Sequence, residues 1–308
     1  MNTLKVLVLS VVFILSDNMC GQGLPGLDMS PADVFMENGE VDNALIEFRK
    51  IYAKEPKNNI NVYNFACALT ANKQIDSAFK YLKVAINIAP ENNFFRVRAL
   101  TDPDFIPLRE DSNWKNFEDG LVSVLAPTLK NVPFAKELWD LKALDQAYYT
   151  EIRLAKKKIG RESSVVNALW KLKELQNETN RNRLELLIQK YGWPKISDVG
   201  ATAASAAFLV IQHSDLQLQE KYLSVIKNLC AVNEADGQAY ALMYDRIQIA
   251  KNKKQRFGSQ VKYDSTKDKY ELFPLENEIK VDQWRKELGL EPLNDYLANW
   301  DLTFESKK

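Results

Sequence analysis

Pairs of similar residues that lie 34 positions apart are the feature that most constrains the fold of this chain. They include small residues, large apolar residues and prolines: Ala32 and Ala66, Phe35 and Leu69, Val41 and Ile75, Ala44 and Ala78, Phe48 and Leu82, Pro56 and Pro90. A period of this length is typical of helix–turn–helix repeats that stack side by side, because each repeat buries its apolar face on the next. Such arrays bind other polypeptides or join domains, and the period by itself predicts no chemical reaction.

The second helix of each repeat has clear start and stop signals. Asp42 and Asp76 are predicted to cap the two helices, since a carboxylate can accept the N–H bonds that the first turn leaves unsatisfied. Pro56 and Pro90 are predicted to end them, because proline lacks an N–H and disfavours helical geometry in the residue before it. The pattern resembles the tetratricopeptide family over residues 25–92, and the resemblance implies two repeats.

A further apolar stripe at helical spacing follows the repeats. Two repeats bury little surface, so this stripe is predicted to form a helix that covers the open end of the array. The array with its capping helix is therefore expected over residues 25–126. The stripe consists of Trp114, Phe117, Leu121, Val122 and Leu125.

Length and charge limit the other classes of function. A chain of 308 residues has room for two domains, and its 41 acidic residues balance its 41 basic ones. No net field attracts nucleic acid or an anionic membrane, and no basic stripe carries interleaved aromatic residues. We therefore expect no nucleic-acid partner.

The first residues are different in composition. Lys5 precedes an apolar run at 6–15, and small and polar residues follow it. This run is too short to cross a bilayer, and its layout predicts an export signal at residues 1–22, with no transmembrane span in the mature chain. The mature protein is expected in the periplasm or at the cell surface. A lipid anchor on Cys20 is the weaker alternative, since residues 17–19 are not the small apolar residues that such a site prefers.

The second half of the chain predicts a separate helical domain over residues 134–304. Apolar residues at helical spacing indicate one long helix from Leu138 to Ala155 and two shorter ones at 169–175 and 184–191. Further helices are predicted over 200–212, 216–231 and 236–251. Alternating polar and apolar residues near 258–274 predict a small β-hairpin. The predicted fold class is mainly α: a two-repeat tetratricopeptide-like array plus a helical domain with a hairpin.

Several polar residues interrupt these apolar elements. They form the motifs Gln212-His213-Ser214-Asp215, Asp245-Arg246 and Gln255-Arg256-Phe257-Gly258-Ser259-Gln260, with Trp193-Pro194 and Gly200 upstream. In these motifs the region resembles a bacterial family known only as a domain of unknown function, which often follows an export signal and helical repeats in proteins of Bacteroidetes type. The resemblance covers roughly residues 135–300. Phe257 stands where the family often has tyrosine, and no activity is implied.

The chemistry of these side chains suggests a small polar pocket. His213, the only histidine, can act as acid or base near neutral pH, and Asp215 can fix its tautomer. Arg246 and Arg256 can hold a carboxylate or phosphate group. The other candidates for ligand binding are Trp193, Gln212, Asp245, Gly258 and Gln260.

A structural alternative explains the same residues. A histidine at a helix end can interact with the helix dipole, Asp245 and Arg246 can form ion pairs, and glutamines can satisfy backbone groups. His213 and Asp215 would supply only two metal ligands, so we expect no metal site and no cofactor. The sequence thus favours an exported binding protein, with repeats that bind a polypeptide or dock a domain and a second domain that binds a small polar ligand. The alternative is a hydrolase-like or lyase-like enzyme with His213 as the acid or base.

Overall fold

The computed structural model describes residues 29–264, 267 and 269–305. The predicted export signal, with Cys20, lies outside the described residues. Within them the chain is mainly α and has one small two-stranded antiparallel sheet, which confirms the predicted fold class. By their contacts the described residues divide into two compact units, 29–210 and 211–305. The predicted domain ranges, 25–126 and 134–304, are a different division of the chain and stay predictions.

The first unit begins with a repeat-like helical array. Each of its first four helices packs on the next. The second and fourth helices begin 34 residues apart and end 34 residues apart, as the sequence period requires. The helices of the array are α1 (Pro31–Glu37), α2 (Val41–Lys54), α3 (Asn59–Ala71), α4 (Ile75–Ile88), α5 (Phe94–Thr101), α6 (Ile106–Arg109) and α7 (Trp114–Leu125). Assignment of this array to the tetratricopeptide family stays a prediction.

Small residues of the 34-residue period lie in the buried core of the array. Ala32, Ala44, Ala66 and Ala78 are completely buried. A larger side chain at these positions would push two packed helices apart, since interiors of this kind have almost no free volume. The apolar stripe of α7 is buried as well, and its role in covering the array stays a prediction.

The capping prediction for α2 and α4 is wrong. Each helix begins two residues earlier than predicted, so the N-cap residues are Glu40 and Gln74, neither of which makes a side-chain cap bond. Asp42 and Asp76 lie in the first turn, where a negative charge still interacts favourably with the helix dipole. Asp42 has an additional role, because its carboxylate accepts a hydrogen bond of 2.8 Å from Asn72, the residue after α3.

The remainder of the first unit differs from the predicted helix pattern. The predicted long helix from Leu138 to Ala155 is broken in two at Tyr148, which adopts a left-handed conformation with φ 72°. The two predicted helices at 169–175 and 184–191 are one unbroken helix, since neither glycine nor proline interrupts 164–191. The helices are α8 (Val132–Asp145), α9 (Tyr149–Ile159), α10 (Ser164–Tyr191), α11 (Ile196–Val199) and α12 (Ala201–Gln212), the last of which ends in the second unit.

A buried lysine explains where α8 ends. The ammonium group of Lys173, on α10, donates to the backbone carbonyl of Asp145 and to the side-chain oxygen of Asn177, the latter at 2.6 Å. A cation is favourable at a helix C-terminus, where carbonyl groups lack intrahelical partners. Burial lowers the pKa of Lys173, and the charge of Asp145 acts in the opposite direction. A residue 28 positions away thus stabilises the break, which local periodicity cannot reveal.

The array is docked on the helices that follow it in the first unit. Helix α5 packs on α8. Arg109, from α6, forms an ion pair of 2.8 Å with Asp140 of α8, and Arg183 of α10 binds the same carboxylate. Arg153 of α9 donates to the carbonyl of Glu37 at the end of α1. Helix packing and partly buried polar contacts therefore join the array to α8, α9 and α10.

The second unit contains the predicted hairpin. Its strands pair from Val261 opposite Leu272 to Asp264 opposite Lys269. Helix α13 packs on α14, and an apolar cluster that includes Leu275, Val281 and Leu293 forms the core beside the hairpin. The elements are α13 (Leu216–Cys230), α14 (Gly237–Ala250), β1 (Val261–Asp264), β2 (Lys269–Leu272), α15 (Val281–Glu287) and α16 (Leu293–Leu297). Across the described parts of both units, no helix has the length and hydropathy needed to cross a membrane.

Candidate functional site

The loop between α14 and β1, residues 255–260, is held by one buried carboxylate. Asp245 of α14 is fully buried and accepts backbone N–H bonds from Arg256 at 2.7 Å, from Phe257 at 3.1 Å and from Ser259 at 2.9 Å. Burial raises the pKa of Asp245, and these N–H donors act in the opposite direction. Because buried N–H groups need partners, Asp245 fixes the path of the 255–260 loop.

The carbonyl groups of the same loop face a buried cation and a phenol. Arg285 of α15 is fully buried and donates to the carbonyl of Phe257 at 2.8 Å and to that of Glu291 at 2.6 Å. The Tyr296 hydroxyl donates to the carbonyl of Ser259 at 2.9 Å, and its ring lies 4.8 Å from the Arg285 guanidinium. Burial lowers the pKa of Arg285 and raises that of Tyr296. An anion thus binds the N–H groups of the loop, while a cation binds a carbonyl.

Two glutamines close the ends of the loop. The Gln255 amide donates to the carbonyls of Gln260 at 3.0 Å and Phe273 at 2.8 Å, and its oxygen accepts from the N–H of Gln260. The Gln260 amide donates in turn to the carbonyl of Leu242 on α14. These buried amides hold the loop to the hairpin and to α14.

Glycine is required at position 258 for two reasons. Its φ of +68° belongs to the left-handed region that other residues adopt only with strain. A Cβ atom there would also lie 2.5 Å from a methyl group of Leu293. The glycine therefore serves close packing of the loop on α16.

Arg256 lies at the surface beside the loop. Its guanidinium binds both carboxylate oxygens of Glu276, at 3.0 and 2.9 Å, and lies about 5 Å from the rings of Tyr244 and Trp284. The hydrogen bond to Glu276 raises the pKa of Arg256. The guanidinium donors of Arg256, which were predicted to hold an anionic ligand, thus bind Glu276 of the same chain.

The Gln212 motif forms a second, separate group. The backbone carbonyl of Gln212 accepts from the Gln219 amide at 3.1 Å and from Arg246 at 2.9 Å, which places a cation at the C-terminus of α12. The Gln212 side chain is buried, and neither its oxygen nor its nitrogen has a hydrogen-bond partner among the described residues. A buried amide in this condition costs free energy unless a water or ligand binds it.

The structure brings together some of the predicted site residues and separates others. Adjacent residues Asp245 and Arg246 make contacts with different groups, the 255–260 loop and the Gln212 carbonyl. Asp215 is exposed and caps α13 by accepting the N–H of Leu218, and His213 is half-buried between α12 and this cap. Trp193 lies in the first unit, after α10, whereas the other candidates lie in the second.

At Asp215 and Asp245 the geometry of the carboxylate does not favour metal binding. Both oxygens of Asp245 face N–H donors, whose partial positive charge would repel a cation. Asp215 also accepts a backbone N–H. The chemistry of these groups is that of helix capping and loop fixation.

Arg285 and Tyr296 were missed by the sequence interpretation. Arg285 precedes two charged residues in α15, Lys286 and Glu287, which suggest a solvated surface. A signal was present, because Arg285 follows Val281 by four residues and shares its helix face. A charged residue in register with an apolar position indicates a buried, partnered charge.

These features define a mainly α protein with a helical array and a region built around an internally fixed loop. Residues 134–307 match a family of unknown function (DUF6624), and the match covers more than half of the chain. The chain belongs to this family, which confirms the predicted resemblance to a domain of unknown function. No curated protein and no solved structure matches the chain.

Proposed function

We propose that this chain is an exported interaction protein whose helical array binds a peptide segment of a partner polypeptide. The observation that carries the proposal is an open groove between α4 and α7, with a volume of about 590 Å³. This size lies within the range of roughly 300–1,000 Å³ that is typical of ligand sites. Its apolar floor is formed by Phe79, Ile86, Phe117 and Leu121.

The rim of the groove carries polar groups that suit a peptide. Asn87, Asn113 and Asn116 line it, and their side-chain amides make no hydrogen bonds within the described parts of the chain. Each amide offers both donors and an acceptor, which is what an extended peptide backbone requires. The groove therefore has an apolar floor for side chains and unused amides for the peptide backbone.

The charges of the rim favour an acidic segment. Lys80 and Lys83 project from α4, and neither forms an ion pair with another described residue. Asp76 contributes one carboxylate at the start of α4, so the lining retains one net positive charge. A segment with a carboxylate beside an apolar side chain fits this arrangement.

Selection from a random peptide library on the full chain tests the proposal. We expect enriched peptides to carry Asp or Glu next to an apolar residue, and Lys83→Glu to weaken their binding at least tenfold in fluorescence anisotropy. Lys115→Glu is the matched control, because Lys115 is exposed on α7 but lies outside the groove. Peptides that bind both variants equally would place the binding surface elsewhere and contradict the proposal.

Binding is favoured over catalysis because the second unit uses most of its candidate residues internally. Asp215 caps a helix, while Asp245, Gln255 and Gln260 fix the 255–260 loop. Residues with such duties have few donors or acceptors left for a substrate. Acid–base catalysis with His213 stays the alternative.

The buried amide of Gln212 supports a second proposal, that the second unit binds a small polar ligand. A ligand with one donor and one acceptor would satisfy both amide atoms. In a thermal-shift screen of polar metabolites, such a ligand should raise the melting temperature of the full chain but not that of Gln212→Leu. Equal shifts for both proteins would contradict it. Turnover of the ligand that is lost in His213→Ala would instead favour the enzyme alternative.

A further inference from the structure

One face of α10 exposes apolar side chains along most of its length. Leu172, Leu175 and Leu186 are 45%, 61% and 68% exposed, which is unusual for leucines that share one helix. These leucines belong to a line of exposed residues that we name the α10 seam. It consists of Val165, Ala168, Leu172, Leu175, Thr179, Asn182 and Leu186.

The spacing of the α10 seam is that of a coiled coil. Val165, Leu172, Thr179 and Leu186 follow each other at intervals of seven residues, and so do Ala168, Leu175 and Asn182. The two series are three residues apart, which reproduces the a and d positions of a heptad. A strict seven-residue repeat keeps these side chains facing a second helix that winds around the first.

The core-facing side of α10 is a different one. Val166, Lys173, Asn180 and Leu184 are buried, and α10 packs on α8 and α9. The seam is therefore additional to the face that holds α10 in the first unit. Packing on α8 and α9 does not require exposed apolar residues on the opposite side of α10, so the α10 seam is not explained by the contacts within the first unit.

We infer that the α10 seam is a self-association surface, on which α10 of a second copy of this chain packs in parallel. The charges beside the seam favour this occupant. In a parallel pair, Glu178 faces Arg183 of the second copy. Glu185, which also has a contact within its own chain, faces Lys190 of the second copy, whose ammonium lies over its own Tyr191 ring. Arg183 also binds Glu137 and Asp140, and about a third of its side chain is exposed.

The opposite orientation is less favourable. Some antiparallel registers keep Leu186 within the interface between the two helices. In these registers, Glu178 lies opposite Glu178 or Glu185 of the second copy. Like charges at these flanking positions repel each other. Flanking charges therefore select between the parallel and antiparallel pairings more strongly than they raise affinity. Thr179 and Asn182 lower the apolar content of the seam, and polar residues at such positions specify register.

Cysteine cross-linking of the full chain tests the orientation. Thr179 occupies an a position, which faces its own copy in a parallel pair. Thr179→Cys should therefore form a disulfide-linked dimer under mild oxidation, with the linked peptide identified by mass spectrometry. Glu174→Cys is the matched control, because Glu174 is exposed on α10 but lies outside the seam. We expect at least tenfold less dimer from this control.

Sedimentation equilibrium of the unmodified chain gives a readout that is independent of cysteine chemistry. It should show a dimer whose dissociation constant rises at least tenfold in Leu172→Glu, with an unchanged helical circular dichroism spectrum. A chain that stays monomeric at high protein concentration overturns the inference. So does a dimer that tolerates Leu172→Glu, or one in which Thr179→Cys and Glu174→Cys cross-link equally.

Discussion

Asp245→Asn should lower the free energy of unfolding by about 3–5 kcal/mol, as expected when one member of a buried charged network is removed. The asparagine is nearly the same size, but its NH₂ group cannot accept the N–H bonds that Arg256, Phe257 and Ser259 now donate to the carboxylate. At least one buried N–H group then loses its partner, and the positive charge of Arg285 loses the anion on the other side of the loop. Urea unfolding followed by circular dichroism measures the effect.

The control for this substitution is the same chemical change at an exposed position. Asp215→Asn should alter stability by less than about 0.5 kcal/mol, since aspartate and asparagine are comparable N-caps. If both variants unfold at the same urea concentration as the wild type, Asp245 does not fix the 255–260 loop.

Arg285→Met should lower the free energy of unfolding by about 2–4 kcal/mol, because it removes a buried cation while leaving its partners in place. The carbonyl groups of Phe257 and Glu291 lose their donors, and Asp245 is left as a buried anion without an opposing cation. Methionine fills much of the volume of the arginine side chain, so the loss reports mainly on polar contacts. Thermal and urea unfolding of the full chain measure it.

Two comparisons sharpen the second prediction. Arg256→Met should cost no more than about 1 kcal/mol, since the pair that Arg256 forms with Glu276 is near the surface. In the Asp245→Asn, Arg285→Met double variant, the loss should be smaller than the sum of the single losses by at least about 1 kcal/mol. If the two losses in unfolding free energy add strictly, the charges of Asp245 and Arg285 do not interact across the loop.

The architecture could be predicted wherever the determining interactions are local. The 34-residue period located the repeats, and Pro56 and Pro90 set the ends of α2 and α4, because proline acts on the residue beside it. The hairpin followed from alternation of polar and apolar residues. The break between α8 and α9 could not be predicted, since it depends on Lys173, which lies 28 residues after Asp145.

The sequence singled out several residues of the 255–260 loop and its surroundings, but it did not give their roles. Asp245, Gly258 and Gln260 stood out as polar or conformationally special residues in an apolar context, and the structure places all of them in or against one loop. Their partners, Arg285 and Tyr296, are distant in sequence and belong to none of the motifs that the sequence singled out. Whether a buried carboxylate binds a ligand or backbone N–H groups depends on which distant residues surround it. A pattern of residue types along the sequence does not identify those residues.

The docking of the array on α8 has a consequence for how fragments of this chain behave. The family match begins at residue 134, two residues after α8 starts. A protein expressed from that point would present to solvent the side of α8 that now packs on α5, and Asp140 would lose its ion pair with Arg109 while keeping the one with Arg183. Such a fragment should aggregate and be poorly soluble. The first residue of the family match is therefore a poor starting point for a shortened protein.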